Sequence, residues 1–203
     1  MPIVDKAEPA AAQVIHTRAV PVYTPERVDT ITFNPDVVAA FKAVPRDQIR
    51  QEWVALVTHD PGLYLQARAA AFRQVFTTPV IDHCLPVHLG VEGPAEILKS
   101  LNMPFRDDRR DERLYNYVTW FLDTPAMSHV PYAIVALLAA GFLLIRRDPA
   151  DIVVAALLAG ALAFTASFFL ISIACDYRYL YLLDLAALTG VLYLALDPRL
   201  RRS

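Results

Sequence analysis

Three groups of side chains in this sequence have the types and spacing to do chemistry. Asp82-His83-Cys84 with His88 is the densest. Imidazole and thiolate are good zinc ligands, and short spacing can bring two of them to one ion. No second ligand pair follows at a recognisable spacing, so no metal is expected and a turn with water-facing histidines is the plainer reading. Cys84 and Cys175 are the only cysteines. In an oxidising compartment they could close a disulfide, and two free thiols are equally natural. The third group, Asp176, Arg178, Tyr181 and Asp184, sits in an apolar tail. A carboxylate there is costly unless it faces a cavity, a partner helix or a polar path. Tyr181 and Tyr177, three and seven residues before Asp184, share its helix face and could donate hydrogen bonds to it. Arg178 is nearer the opposite face but long enough to help. Asp184 is then either a carboxyl near a membrane interface or a polar group on a ligand-facing wall.

The elements that would position these groups follow from where the apolar residues lie. The chain has 203 residues, 56% of them hydrophobic, with a formal net charge of −2. Near-neutral charge without a concentrated basic patch excludes a nucleic-acid partner on electrostatic grounds. Two cysteines exclude a disulfide-dense scaffold. The apolar surface excludes disorder throughout. The excess is confined to the C-terminal part, because residues 129–203 carry only six basic and five acidic side chains. Residues 124–145 and 152–175 carry no formal charge, and residues 179–196 carry only Asp184. At about 1.5 Å per helical residue, such runs span the ~30 Å hydrocarbon core of a bilayer. Three transmembrane helices are expected, at about 124–145, 152–174 and 179–196, with a buried hairpin of a large soluble protein as the alternative. Thr124-Pro125 and Asp148-Pro149 each set a capping side chain before a proline at the first helical position. Short links at 146–151 and 174–178 require antiparallel neighbours. Tyr177, Tyr179 and Tyr181 mark an aromatic belt.

Orientation follows from the arginines. Arg146 and Arg147 share a side with Arg199, Arg201 and Arg202, against Arg178 in the opposite short loop. Positive-inside bias places the C-terminus in the cytoplasm and the N-terminal domain outside, in a multi-pass protein of the cytoplasmic membrane. Arg106, Arg109, Arg110 and Arg113 also flank the first helix and erode this asymmetry, and no charged-then-apolar signal sequence opens the chain.

The expected fold class is mainly α: a small helical extramembrane N-terminal domain and then a three-helix antiparallel transmembrane segment. Residues 1–33 read as irregular and extended, with weak strands near Val14–Ile15 and Ile31–Phe33. Residues 34–123 read as a mainly helical domain, and residues 124–203 as the transmembrane helices with a short basic tail. Asn34-Pro35 opens a helix to about Ala43, a second runs from about Arg46 to Thr58, and Asp60-Pro61 starts a third through Phe76. In the third, Leu63, Ala67 and Ala71 share one face beside Tyr64, Arg68, Phe72 and Phe76. It either packs on the domain or lies in the membrane interface with Arg68 and Arg73 at lipid headgroups. The run RDDRRDER at 106–113 reads as solvated surface, because its signs interleave and nearly cancel. No GxSxG, P-loop, GxGxxG or HExxH occurs, and no cofactor is indicated.

Two stretches carry a family resemblance. Gln51–Phe76, with Trp53, His59, Pro61, Tyr64, Arg68 and Phe72, forms a W…HP…Y…R…F pattern. Cys175-Asp176-Tyr177-Arg178-Tyr179 forms a polar-aromatic element before the last helix. Together they resemble the C-terminal portion of bacterial polytopic glycosyltransferase-like membrane proteins that use polyprenyl-phosphate sugars. The resemblance implies a lipid-carrier cavity with Arg178 on a phosphate and Asp176, Tyr181 and Asp184 as polar walls. It implies a polyprenyl-phosphate-linked sugar and other membrane subunits as partners beside the lipid bilayer. Those enzymes carry their catalytic acid in an early extracytoplasmic loop that has no counterpart here, so catalysis by this chain alone is not expected. A non-enzymatic membrane-anchored scaffold or partner-binding protein is the alternative.

Overall fold

A computed structural model describes residues 9–24, 29–84, 86–106, 108–122 and 124–197. Among them the fold is mainly α, and the only extended pairing is an antiparallel bridge between Val91 and Arg106. The chain divides into two compact units, residues 1–76 with 163–175, and residues 77–162 with 176–203.

In the first unit, the expected extended N-terminal segment is helical where it is described. Helix α1 (Pro9–Val14) runs into a π turn (Ile15–Ala19) and a 3-10 turn (Val20–Val22), and α2 spans Asp29–Thr32. Residues 1–8 and 25–28 lie outside the described residues. The strand expectation near Val14 and Ile15 rested on β-branched side chains, and two effects outweigh it. Alanines 10–12 favour helix. Ile15 and Ala19, one turn apart, bury against Val37 and Ala40 of a later helical segment and against Val44 that caps its end. That segment is α3 (Pro35–Ala43), where Asn34 Oδ1 accepts from the backbone N–H of Asp36 at 3.0 Å, as the Asn-Pro start predicts.

Helices α4 (Arg46–His59) and α5 (Pro61–Thr77) follow within two residues of the expected bounds. Asp60 Oδ1 accepts from Leu63 N–H at 3.2 Å and starts α5. The buried stripe of α5 lies later than Leu63–Ala67–Ala71, at Ala71 and Val75, while Leu63 is exposed. Phe72 stacks on Phe76 at 5.3 Å and meets Phe169 edge-on at 5.9 Å. Arg68 packs into the unit. Its Nε donates to the Phe169 carbonyl at 2.8 Å and its Nη2 to the Ser172 carbonyl at 2.7 Å. Those carbonyls end an apolar helix and lack intrahelical partners, so a cation there satisfies both hydrogen bonding and the helix dipole.

In the second unit, the described residues between 78 and 106 are mostly irregular, with a 3-10 turn (Ile81–Cys84) and the short helix α6 (Ala95–Ser100). Gly90 has φ +77°, and a Cβ there would lie 2.3 Å from the Arg106 carbonyl oxygen, so glycine is required where the two strands of chain cross. The charge run at 106–113 is the start of a helix, α7 (Arg109–Thr119). Asp108 and Asp111 form a reciprocal capping box, and Asp111 is buried. The N–H groups of Asp111 and Arg110 hold the Asp108 carboxyl below the usual aspartate range.

Three helices are long and apolar enough to cross a membrane: α8 (His129–Arg146), α9 (Pro149–Ile171) and α10 (Tyr181–Leu196), the last entered through a 3-10 turn (Tyr177–Leu180). The first begins later than expected. Thr124 caps a single 3-10 turn (Pro125–Met127), and Ser128 caps α8 by accepting from Val130 N–H at 3.4 Å. The second begins at Pro149, three residues early, because Asp148 Oδ1 accepts from Ala150 N–H at 3.0 Å and so caps at the proline. The buried faces of α8 and α10 are mostly small: Ala133, Ala136, Ala139 and Ala140 on one, Ala186, Ala187 and Gly190 on the other. A Cβ on Gly190 would sit 3.3 Å from both Leu158 methyls and 3.8 Å from the Ala139 Cβ, so the glycine leaves room for the Leu158 side chain where α8 and α10 pack. Leu138, Ile145, Val153 and Leu192 face outward. Alanines inside and leucines outside invert the order of a soluble bundle and suit a hydrocarbon solvent.

Candidate functional site

Polar side chains gather at both ends of this apolar bundle. At one end the starts of α8 and α10 meet through His129 and Asp184. His129 Nδ1 lies 2.9 Å from Asp184 Oδ1, and the Tyr177 hydroxyl donates to Asp184 Oδ2 at 2.9 Å. Both carboxylate oxygens therefore have a donor, provided that Nδ1 carries the imidazole proton. The Tyr177 ring stacks on His129 at 4.4 Å between centroids. Tyr132 donates to the Ala126 carbonyl at 3.1 Å and ties the preceding 3-10 turn to α8. His129 is 0% exposed, and its Nε2 has no hydrogen-bond partner among the described residues.

At the other end, the close of α8, the start of α9 and the close of α10 converge on Arg146. Its Nε lies 3.0 Å from Asp151 Oδ2, and its Nη2 donates to Asp197 Oδ2. Tyr193 donates to Asp151 Oδ1 at 2.7 Å. Asp151 and Asp197 are buried, and the Phe142 ring lies 5.6 Å from the guanidinium carbon. Arg146 thus serves two carboxylates on two other elements in the planar fork geometry that suits a guanidinium. The two nodes fix the helices as up, down, up, as the short links required.

The expected site residues separate between these contacts. Asp184 is buried and bonded as described, with Tyr177 as one donor. Tyr181, three residues before it in the same helix, is 57% exposed and turns its side chain outward rather than onto the carboxylate. Arg178 does not reach Asp184 either. Its Nε and Nη2 donate to the two oxygens of Asp176 at 2.9 and 2.6 Å, leaving the guanidinium side chain 62% exposed. Asp176 also accepts from the Arg178 backbone N–H at 3.0 Å. Neither Cys84 nor Cys175 is a free thiol, each being disulfide-bonded, and both are buried. His83 and His88 are exposed, the side chain of Asp82 lies outside the described residues, and among the described residues no three His, Cys, Asp or Glu side chains converge as metal ligands would.

Sequence reasoning missed His129, Tyr132 and the Arg146–Asp151–Asp197–Tyr193 node. One signal for His129 was present. An apolar up-down-up hairpin puts the starts of its first and third helices at the same end, and His129 is the titratable residue at that end of α8. Arg146 was read as a loop charge that sets orientation, whereas it pairs with Asp151 and Asp197.

The length and composition of α8–α10, three helices able to cross a bilayer, suggest a membrane protein. No family model matches it, and no curated protein or solved structure is significantly similar.

Proposed function

We propose that this chain is a membrane-embedded, non-catalytic component that holds an extramembrane helical domain at the bilayer and presents it to a partner. The observation that supports this reading is the enclosure of His129. An imidazole oriented by a carboxylate through Nδ1, with Nε2 unbonded, is the arrangement of a general base. Here the ring is 0% exposed, so no substrate reaches it, and the contact ties helix to helix. The purified protein in detergent tests the reading. Asp184→Asn should lower the unfolding temperature, and neither it nor Arg178→Ala should change binding of a polyprenyl phosphate measured by native mass spectrometry. Specific polyprenyl-phosphate binding that Arg178→Ala abolishes would overturn it.

A second reading keeps the glycosyltransferase resemblance, with the chain as part of a larger enzyme that handles a polyprenyl-phosphate sugar. What favours it is Arg178, which Asp176 grips by Nε and Nη2 while the side chain stays mostly exposed beside an apolar helix start. A pre-oriented guanidinium is well suited to a lipid-linked phosphate. Under either reading the N-terminal domain lies outside the cytoplasmic membrane and the C-terminus in the cytoplasm. Support comes from the cysteines, since each is disulfide-bonded and a disulfide needs an oxidising compartment. Impermeant thiol labelling of intact cells should succeed only after reduction. Labelling only after lysis, without reductant, would reverse the orientation.

A further inference from the structure

The charge run before the first apolar helix nearly cancels by count but not in space. Helix α7 (Arg109–Thr119) advances about 100° per residue, and Trp120 continues its backbone geometry at φ −62°, ψ −20°. On that wheel Arg109, Trp120, Arg113, Tyr117 and Arg110 fall in succession within an arc of roughly 100°, with Leu114 just beyond. The acids fall elsewhere. Asp111 is buried in the capping box, and Glu112 lies outside the arc beside Asn116. Tyr117 meets Phe121 edge-on at 5.3 Å, which carries the aromatic edge of this face into the following turn. Trp120 is 85% exposed, more than any other large apolar side chain described. A soluble surface gains nothing from a bare tryptophan flanked by arginines.

We infer that this face of α7 rests on the bilayer, with Arg109, Arg110 and Arg113 on anionic lipid headgroups and Trp120 and Tyr117 seated at the boundary with the acyl chains. The argument for lipid as the occupant is continuity with the membrane-crossing helix. Trp120 precedes the start of α8 by nine residues. Hydrogen-bonded turns lead across that interval: Phe121 N–H to the Val118 carbonyl at 2.9 Å, Thr124 to Phe121 at 3.0 Å, and Ser128 to Pro125 at 3.1 Å. Tyr132 of α8 clasps the last of them through Ala126. The segment is thus held near the plane where α8 enters the bilayer. Tryptophan and tyrosine partition to that plane, and a helix with basic and aromatic residues on one face lies in it. Arginine forks match lipid phosphates, and anionic lipid adds a favourable surface potential for each arginine.

The chain has two tryptophans, Trp53 and Trp120, so Trp53→Phe in the full-length protein leaves Trp120 as the sole reporter. Reconstituted into vesicles, this variant should show blue-shifted emission, protection from aqueous acrylamide, and quenching by phosphatidylcholine brominated near the headgroup more than by chains brominated at depth. Both protection and lipid quenching should rise when phosphatidylglycerol replaces part of the phosphatidylcholine. Arg109→Gln, Arg110→Gln and Arg113→Gln together should remove that rise, with the unchanged helical circular dichroism of the three spans as the control for folding. Quenching by acrylamide as free as that of a soluble tryptophan, with none from brominated lipid, would overturn the inference. So would shielding from both quenchers, which would mean a protein covers the face. Lipid quenching indifferent to lipid charge and to the triple substitution would overturn the role given to the arginines.

Discussion

The two ends of the apolar bundle solve one problem with different chemistry. At the His129–Asp184 end, one carboxylate is shared by an imidazole and a phenol, and the aromatic rings shield it. At the Arg146 end, one guanidinium serves two carboxylates, with a phenol on the second oxygen of Asp151. The difference lies in where the charges stand along the helices. Asp151, Arg146 and Asp197 stand at helix ends, where macrodipoles already favour an acid at the start of α9 and a base at the close of α8. Asp184 stands one turn inside α10, so its cost is met by donors brought from α8 and from the 3-10 turn before it. The Arg146 node therefore depends on one cation placed between two acids, whereas the Asp184 node depends on hydrogen bonds from a phenol and an imidazole.

That contrast can be broken most directly at Arg146. Arg146→Ala leaves two buried carboxylates without their cation and should cost about 3–5 kcal/mol, the penalty of orphaning a buried charge. Equilibrium unfolding in mixed micelles would read it, and Arg146→Lys should restore only part, because a point charge cannot fork to both acids. Asp184→Ala comes next, at roughly 2–3 kcal/mol, since it strands two donors and hydrogen bonds between membrane helices are individually modest. If Asp184→Ala proved worse than Arg146→Ala, the distinction between charge pairing and hydrogen bonding would fail. Tyr177→Phe and Tyr193→Phe sharpen the comparison, each at about 1 kcal/mol. The Tyr193 loss should be the larger, because it uncovers an oxygen of a fully buried carboxylate. Gly190→Ala, at the packing level between the nodes, should cost less than about 1 kcal/mol, because only the Leu158 methyls need shift and alanine gains helix propensity.

The smallest effect lies outside the bundle. The Asp108 carboxyl is held below the usual aspartate range by the N–H groups of Asp111 and Arg110 at the start of α7. A carboxyl depressed in the folded state stabilises it fully above the unfolded pKa and loses that contribution as pH falls through the folded value. Fraying of the first turn of α7 should therefore appear in amide exchange only below about pH 4, and Asp108→Ala should abolish the pH dependence.

Sequence alone determined the apolar helices, their up-down-up order, and the starts of α3, α4 and α5, because these follow from length, hydrophobic runs and capping residues that act over a few positions. It also marked Asp184 as a group in need of a partner and Tyr177 as one donor, since both lie on one short segment. The N-terminal segment at 9–22 was misread as extended because the burial of Ile15 and Ala19 against Val37 and Ala40 of α3 is recorded in no local pattern. His129 as the second donor to Asp184 lies 55 residues away in the chain, and Asp197 stands 51 residues from the arginine that it serves. Of the two tyrosines that the helix period sets beside Asp184, Tyr177 donates to it and Tyr181 is exposed. Only the tertiary structure decided these, because burial of a charge is a property of everything that surrounds it, and those surroundings are assembled by folding rather than by adjacency in the chain.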